Sequence, residues 1–181
     1  MAAEKSPVTG ARLHGLPPII NAQARVLVLG SFPSAASLVA QQYYANPKNQ
    51  FWRILGAVLA QPLTEMDYAA RIAAAQAAGI AIWDVFASCE RNGSLDSAIR
   101  NAVTNDLVTL RKSALAIRRV CFNGRMAARR QREIEALGYE VRILPSTSPA
   151  HAGMRFEEKL LHWRAALCDC RPRCLTGALQ A

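Results

Sequence analysis

The sequence predicts an α/β fold, a single-domain three-layer sandwich with a mostly parallel four-stranded central sheet flanked by helices. Three observations predict it. Four short apolar runs, "RVLVLGS", "IAIWDVF", "RRVCFNG" and "YEVRILP", have the length and burial pattern of strands. Helical stretches separate them, and strands alternating with helices imply a parallel sheet covered on both faces. With 181 residues, about half of them apolar, the chain has enough surface to bury for one domain and too little for two.

The elements follow in order. "RVLVLGS", Arg25–Ser31, is the first strand, and a helix is expected near Ser34–Gln42. A second helix spans Phe51–Leu59, with Asn49 ahead of it as a cap, since Asn readily accepts hydrogen bonds from a first helical turn. "TEMDYAARIAAAQAAG" is a long Ala-rich helix ended by Gly79. "IAIWDVF" is the second strand, and "SLDSAIRNAV" and "NDLVTLRKSA" are expected to be wholly or partly helical. "RRVCFNG" is the third strand, "RMAARRQREIEALG" a helix, "YEVRILP" the fourth strand and "RFEEKLLHWRAALCDC" the last helix. The expected division is an N-terminal arm over 1–24, a domain over 25–167 and a polar, Cys-containing C-terminal tail over 168–181.

Composition narrows the function. No apolar run approaches the roughly 18 residues needed to span a bilayer, and the start lacks the apolar centre of a secretory signal. Five cysteines, an odd number, do not form a disulfide framework. Cys168, Cys170 and Cys174 have C-x-C-x3-C spacing, but no fourth ligand stands nearby, so no metal and no organic cofactor is expected. A reduced, cytoplasmic protein is the resulting expectation. The formal charge of +9 and pI near 9.9 favour a polyanionic partner, nucleic acid above all.

Ligands of such sheets lie beyond the carboxyl ends of the strands. Four loops fall there: "GSFPSAASL", "WDVFASCERNGS", "FNGRMA" and "PSTSPAHAG". "GSFPS", with Gly30, Ser31 and Phe32, is neither a Walker loop nor a dinucleotide fingerprint, yet its backbone N–H groups can face a ligand. Asp84 ends a buried strand, where a carboxylate can accept from a ligand N–H, act as a base or cap a turn. Asn123 has a similar ambiguity, because Asn-Gly is also a turn dipeptide. Ser146, Ser148 and His151 offer hydroxyls and an imidazole to phosphates, or satisfy their own turns. Paired carboxylates of the O-glycosidase kind are not apparent, nor are a nucleophile elbow, an H-E-x-x-H or a Cys-His pair. The run "QYYANPKNQFW" sets aromatic faces beside amide and cationic groups, an arrangement suited to a flat heterocycle carried on phosphates.

Taken together, "LVLGSFPS…QYYANPKNQFWRIL", "WDVFASCERNGSLDSAIR", "FNGRMA" and "STSPAHA" resemble the uracil-DNA glycosylase superfamily, most closely its hypoxanthine-DNA (deoxyinosine) glycosylase group. The resemblance runs from about Arg25 to Trp163. It implies a monofunctional enzyme of base-excision repair that binds double-stranded DNA, flips out a deaminated base and hydrolyses its N-glycosidic bond, with no obligate protein partner. Hypoxanthine is the expected base, and a mismatch-type uracil-DNA glycosylase the alternative. A non-catalytic lesion-binding protein of the same fold is a further alternative. A nucleotide-binding α/β protein outside the family would instead prefer mononucleotides to duplex DNA.

Carried over by position, Tyr44 takes the place of the base-stacking aromatic. Phe32 stands where most branches have the water-activating Asp or Asn. The resemblance to the hypoxanthine group offers Asn49 and Asn123 as catalytic replacements, Asn49 positioning water and Asn123 orienting the base. Asp84 falls near the base-reading Asn of uracil-specific members, with Gly30, Ser31 and Phe32 beside it in the base pocket. Ser146, Ser148, His151 and Met154 are expected on the DNA. Ala150 occupies the usual wedge position, leaving His151 or Met154 to fill the gap left by the flipped base.

Overall fold

The structure, a computed structural model, describes residues 11–109 and 116–168. Its centre is a four-stranded parallel sheet in the order β3-β2-β6-β7, formed by β2 (Val26–Gly30), β3 (Ile80–Asp84), β6 (Arg119–Asn123) and β7 (Glu140–Leu144). These are the four expected strands. Alternation along β2 sends Val26 and Val28 to one face and Leu27 and Leu29 to the other, and each pair belongs to a separate core. Both faces are covered, which is why β2 reads as a continuous apolar run.

Helix α1 (Ala35–Ala40) starts at Ser34, whose Oγ accepts from Ser37 N. Helix α2 (Phe51–Leu59) buries Phe51, Trp52, Ile54, Leu55 and Val58, and packs against α5 (Phe156–Cys168), which contributes Trp163, Ala166 and Leu167 to the same core. Helix α3 (Tyr68–Ala77) is shorter than its Ala-rich run, because Asp67 caps it by accepting from Ala70 N. Such a cap contributes about 1 kcal/mol. The expected helix after β6 splits into a 3-10 turn, Ala127–Arg130, and α4 (Gln131–Ala136).

A second sheet departs from the sequence reading. β1 (Arg12–His14), β4 (Phe86–Glu90) and β5 (Arg100–Thr104) form an antiparallel sheet in the order β1-β4-β5. "SLDSAIRNAV" is therefore not the expected helix: only Asp96–Ala98 makes a 3-10 turn, and Arg100–Thr104 is strand. Its apolar spacing mimics a helix, but β5 is largely exposed and no core selects that period. "IAIWDVF" is likewise broken at Val85, where the chain passes from one sheet to the other. Val85 N donates to Gly30 O at 2.9 Å and Phe86 N to Ser31 O at 3.1 Å. The segment expected as an arm supplies β1 and the buried Leu16.

Residues 107–109 are helical, and the rest of "NDLVTLRKSA" up to Ala114 lies outside the described residues. So do Cys170, Cys174 and the side chain of Cys168. Among the described residues no helix is long and apolar enough to cross a membrane, and no three His, Cys, Asp or Glu side chains cluster as metal ligands.

Candidate active site

The parallel strands end level with one another. Gly30 pairs with Asp84, Leu29 with Phe122, and Asn123 follows directly. Over this edge lies a cavity of about 250 Å3, and it gathers Gly30, Ser31, Phe32, Tyr44, Asn49, Asp84, Asn123, Ser146, Ser148 and His151. Ten residues singled out from five separate stretches of sequence thus share one wall or another of a single hollow. Met154 does not. It lines an adjoining depression with Lys48, Arg155 and Lys159, which meets the first at Ser148 and His151.

Tyr43 and Tyr44 have opposite fates. Tyr43 is buried, and its hydroxyl lies 3.1 Å from the carbonyls of both Leu16 and Pro17. Most of it is core, although part of it still reaches the cavity wall. Tyr44 stacks on Phe51 with ring centroids 3.8 Å apart and an 18° tilt, and lines the cavity. Its φ of +56° is costly for an aromatic residue, on the order of 1–3 kcal/mol. The surroundings hold it there. Asn123 Nδ2 donates to the Tyr44 hydroxyl at 3.2 Å and to Thr147 Oγ1 at 2.9 Å, while Asn123 Oδ1 accepts from Thr147 N at 2.9 Å. Both donors of the amide are thus committed to bracing the ring and the 145–151 loop. Burial pushes the Tyr44 phenol above its ordinary range and the Asp84 charge adds to this, against the hydrogen bond from Asn123.

Asp84 is 4% exposed, and its Oδ2 is buried with no hydrogen-bond partner among the described residues. Its Oδ1 lies 2.3 Å from where a Cβ on residue 30 would stand, so only glycine fits opposite this carboxyl. Burial, helped by nearby Asp96 and opposed by Arg91, raises the Asp84 carboxyl to about 7. At neutral pH the group therefore exists substantially as a neutral acid, able to donate as well as accept.

Asn49 differs from Asn123. Its Oδ1 accepts from Phe51 N at 3.0 Å, which fixes the amide orientation and supports the first turn of α2. Gln50 occupies the formal cap position with no side-chain cap bond of its own. Asn49 Nδ2 makes no hydrogen bond among the described residues, and the side chain lines the cavity.

The two walls are tied together. Gln50 N donates to Thr147 O at 2.9 Å, and the nearly fully buried Lys159 Nζ donates to Gln50 Oε1 at 3.0 Å and His151 O at 2.8 Å. Trp163 Nε1 anchors the loop through Pro145 O at 3.1 Å. Within the loop, Ser146 Oγ accepts from Ser148 N and Ser148 Oγ from Ala150 N. The hydroxyls satisfy these turns, and their remaining capacity faces the hollow.

Phe32 is 6% exposed, and the Arg91 guanidinium lies over its ring, 5.0 Å from the centroid. Arg91 also donates from Nη2 to Pro33 O. Sequence reasoning missed Asp96, Leu95 and Ser94, which the 3-10 turn and its approach bring to the rim of the cavity. Asp96 accepts from Ser31 Oγ at 2.6 Å, and Ser94 Oγ accepts from Ala35 N at 2.9 Å. Only the "WDVFASCERNGS" loop, noted for lying on the correct edge, pointed towards them. The arrangement offers one aromatic face, a neutral acid at the floor, an uncommitted amide on one side and a hydroxyl-rich loop on the other. A flat heterocycle with hydrogen-bonding edges fits that chemistry.

The chain matches the family model described as the Uracil DNA glycosylase superfamily over residues 17–171. It is 38% identical over 138 residues to a protein of Methanosarcina acetivorans named hypoxanthine DNA glycosylase, covering 76% of this chain and 87% of that protein. A protein of the same name from Methanosarcina barkeri is 36% identical over the same shares. Among solved structures, the solution NMR structure of a Methanosarcina acetivorans protein, provisionally assigned as a uracil DNA glycosylase, superposes with a TM-score of 0.81. It is 34% identical, and the match covers 88% of this chain and 99% of that one.

Proposed function

This chain belongs to the uracil DNA glycosylase superfamily, and we propose that within it the enzyme excises hypoxanthine, the deaminated form of adenine, from double-stranded DNA. It is a DNA glycosylase, a hydrolase of N-glycosidic bonds acting on DNA. The lesion follows from the relatives named hypoxanthine DNA glycosylase. The observation that carries the reading is the cavity itself: a base-sized hollow with Tyr44 on one wall, its ring backed by Phe51, and the unpartnered Asp84 carboxyl at the floor.

Chemistry on a stacked base requires extrusion from the duplex, at a cost of a few kcal/mol. Tyr44, already backed by Phe51, offers a stacking surface that offsets part of it. Hypoxanthine presents a C=O acceptor beside an N–H donor, and neutral Asp84 carries the complementary O–H and C=O. Asn49 holds the attacking water from the side. Its Oδ1 has a second lone pair beyond the bond to Phe51 N, and its Nδ2 is uncommitted. As the C1′–N9 bond stretches, charge builds on the base, and a donor at Asp84 stabilises it. Asn123 acts as a positioning residue through Tyr44 and Thr147. Ser146, Ser148, His151 and the Lys48–Met154–Arg155 depression take the DNA backbone beside the flipped nucleotide. No protein partner is needed for these steps, and we take the compartment to be the reducing cytoplasm.

Competition among duplexes carrying hypoxanthine, xanthine or uracil tests the lesion. Under single-turnover conditions hypoxanthine is released fastest; faster uracil release would transfer the enzyme to the mismatch-type uracil reading. Gly30→Ala tests the pocket floor. Its Cβ takes the place of Asp84 Oδ1, so hypoxanthine release falls at least about tenfold in a protein with wild-type circular dichroism. An unchanged rate would show that the carboxyl does not need that position.

A further inference from the structure

Phe32 leaves the opening loop without a group that can take a proton from water, and the structure offers a replacement from another element. We propose that Asp96 is the catalytic base of this glycosylase, held in place by Ser31 and working opposite Asp84. The proposal rests on the glycosylase reading of the cavity.

Ser31 Oγ donates to Asp96 Oδ1 at 2.6 Å, which pins one oxygen of the carboxylate at the end of β2. Asp96 Oδ2 makes no hydrogen bond among the described residues, and Asp96 lines the cavity. The preceding residue, Gly30, is the one whose missing Cβ makes room for Asp84 Oδ1. Both carboxyl groups line the same cavity, and they are close enough for the Asp96 charge to act on Asp84. Asp84 and Asp96 are the acidic side chains among the described lining residues. The pair that the sequence did not reveal is assembled from β3 and the 3-10 turn.

Their surroundings separate their roles. Asp84 is 4% exposed and unpartnered at the floor, while Asp96 is half-buried at the rim and hydrogen-bonded. The charged and titratable groups facing Asp84 are Asp96 and Arg91, with Tyr43 and Tyr44 close enough to feel its charge. A carboxyl buried beside another carboxyl holds its proton more tightly, which suits Asp84 to the acid's part, while the bond from Ser31 and the second, open oxygen suit Asp96 to the base's. The step balances. Water oxygen bonds to C1′ as the C1′–N9 bond breaks and its electron pair goes to the purine. Asp96 accepts the proton that the water loses, and Asp84 gives its proton to the leaving base. Solvent exchange resets both groups, and the products are free base and an abasic sugar.

The test compares wild type, Asp96→Asn, Asp96→Ala and Ser31→Ala on a deoxyinosine duplex in single turnover. Binding is read in parallel on a duplex with 2′-fluorinated deoxyinosine, which resists cleavage. Asp96→Asn slows release by about 10²-fold, at the lower end for a general base, and leaves binding within about twofold, because the lost interaction belongs to the transition state. Added formate restores part of the Asp96→Ala rate, and Ser31→Ala, which keeps the carboxylate, loses less than Asp96→Asn. A deficit below about tenfold, a matching loss of binding or failure of formate to rescue overturns the assignment. Wild type without base release would remove the glycosylase reading as well, whereas a fully active Asp96→Asn removes only this assignment.

Discussion

Asn49→Ala releases hypoxanthine about 10³-fold more slowly than wild type in single turnover, the upper range for losing one pre-organised polar group at a reacting centre. The effect is large because Asn49 presents an uncommitted Nδ2 and a spare Oδ1 lone pair to the cavity, while neighbouring Asn123 has spent its donors on Tyr44 and Thr147. Removal of Asn49 also deletes the bond from Phe51 N, worth about 1 kcal/mol as a cap. The fold tolerates that loss, since α2 is held by Phe51, Trp52, Ile54 and Leu55 in the core. Asn49→Asp separates the two effects. It keeps an acceptor for Phe51 N and so restores thermal stability, but it lacks the amide donor. A folded Asn49→Ala protein with the wild-type rate would remove Asn49 from the chemistry.

Asp84→Asn is the second large effect, and it appears in stability as well as rate. The rise of the Asp84 carboxyl from 3.8 to about 7 corresponds to about 4 kcal/mol at ~1.4 kcal/mol per pH unit. Between those values the folded chain binds more protons than the unfolded one, so wild-type stability falls as pH rises from about 4 to about 7 and then levels. An amide has no such titration. Urea unfolding therefore finds the two proteins similar near pH 4 and the variant more stable by up to about 4 kcal/mol at pH 8. The rate moves the other way: wild-type release declines above about pH 7 as Asp84 loses its proton, and the variant, slower at pH 6, shows no such decline. A stability difference that ignores pH would contradict a buried, unpartnered acid at this position. With Asp84 buried and its Oδ2 unpaired among the described residues, the folded state gives up stability for the benefit of the site, a common trade between stability and activity.

Much of this was legible in the sequence, for physical reasons. β2, β3 and β6 are apolar runs because both faces of the parallel sheet are covered there, and strand-end placement alone directed attention to Asp84, Asn123 and the 145–153 loop. The antiparallel sheet was not legible, since β5 is exposed and its period is set by hydrogen bonding to β4 rather than by burial. Tyr43 and Tyr44 are adjacent and chemically alike; only the carbonyls of Leu16 and Pro17, far away in sequence, assign one of them to the core. Asp96 meets Ser31 across 65 positions, a proximity that no local pattern encodes. Asn123 was found as a polar strand end, but its commitment to Tyr44 and Thr147 emerges only once three separate segments meet.

The central claim is that this cavity breaks the bond between hypoxanthine and deoxyribose. It is tested most directly by incubating excess protein with a duplex containing one deoxyinosine and measuring free hypoxanthine by mass spectrometry, with the strand followed before and after alkali. The account predicts free hypoxanthine in step with an abasic strand that stays intact until alkali cleaves it. Tight binding of the duplex with the base still attached would contradict it, and would make the protein a reader of the lesion without the chemistry.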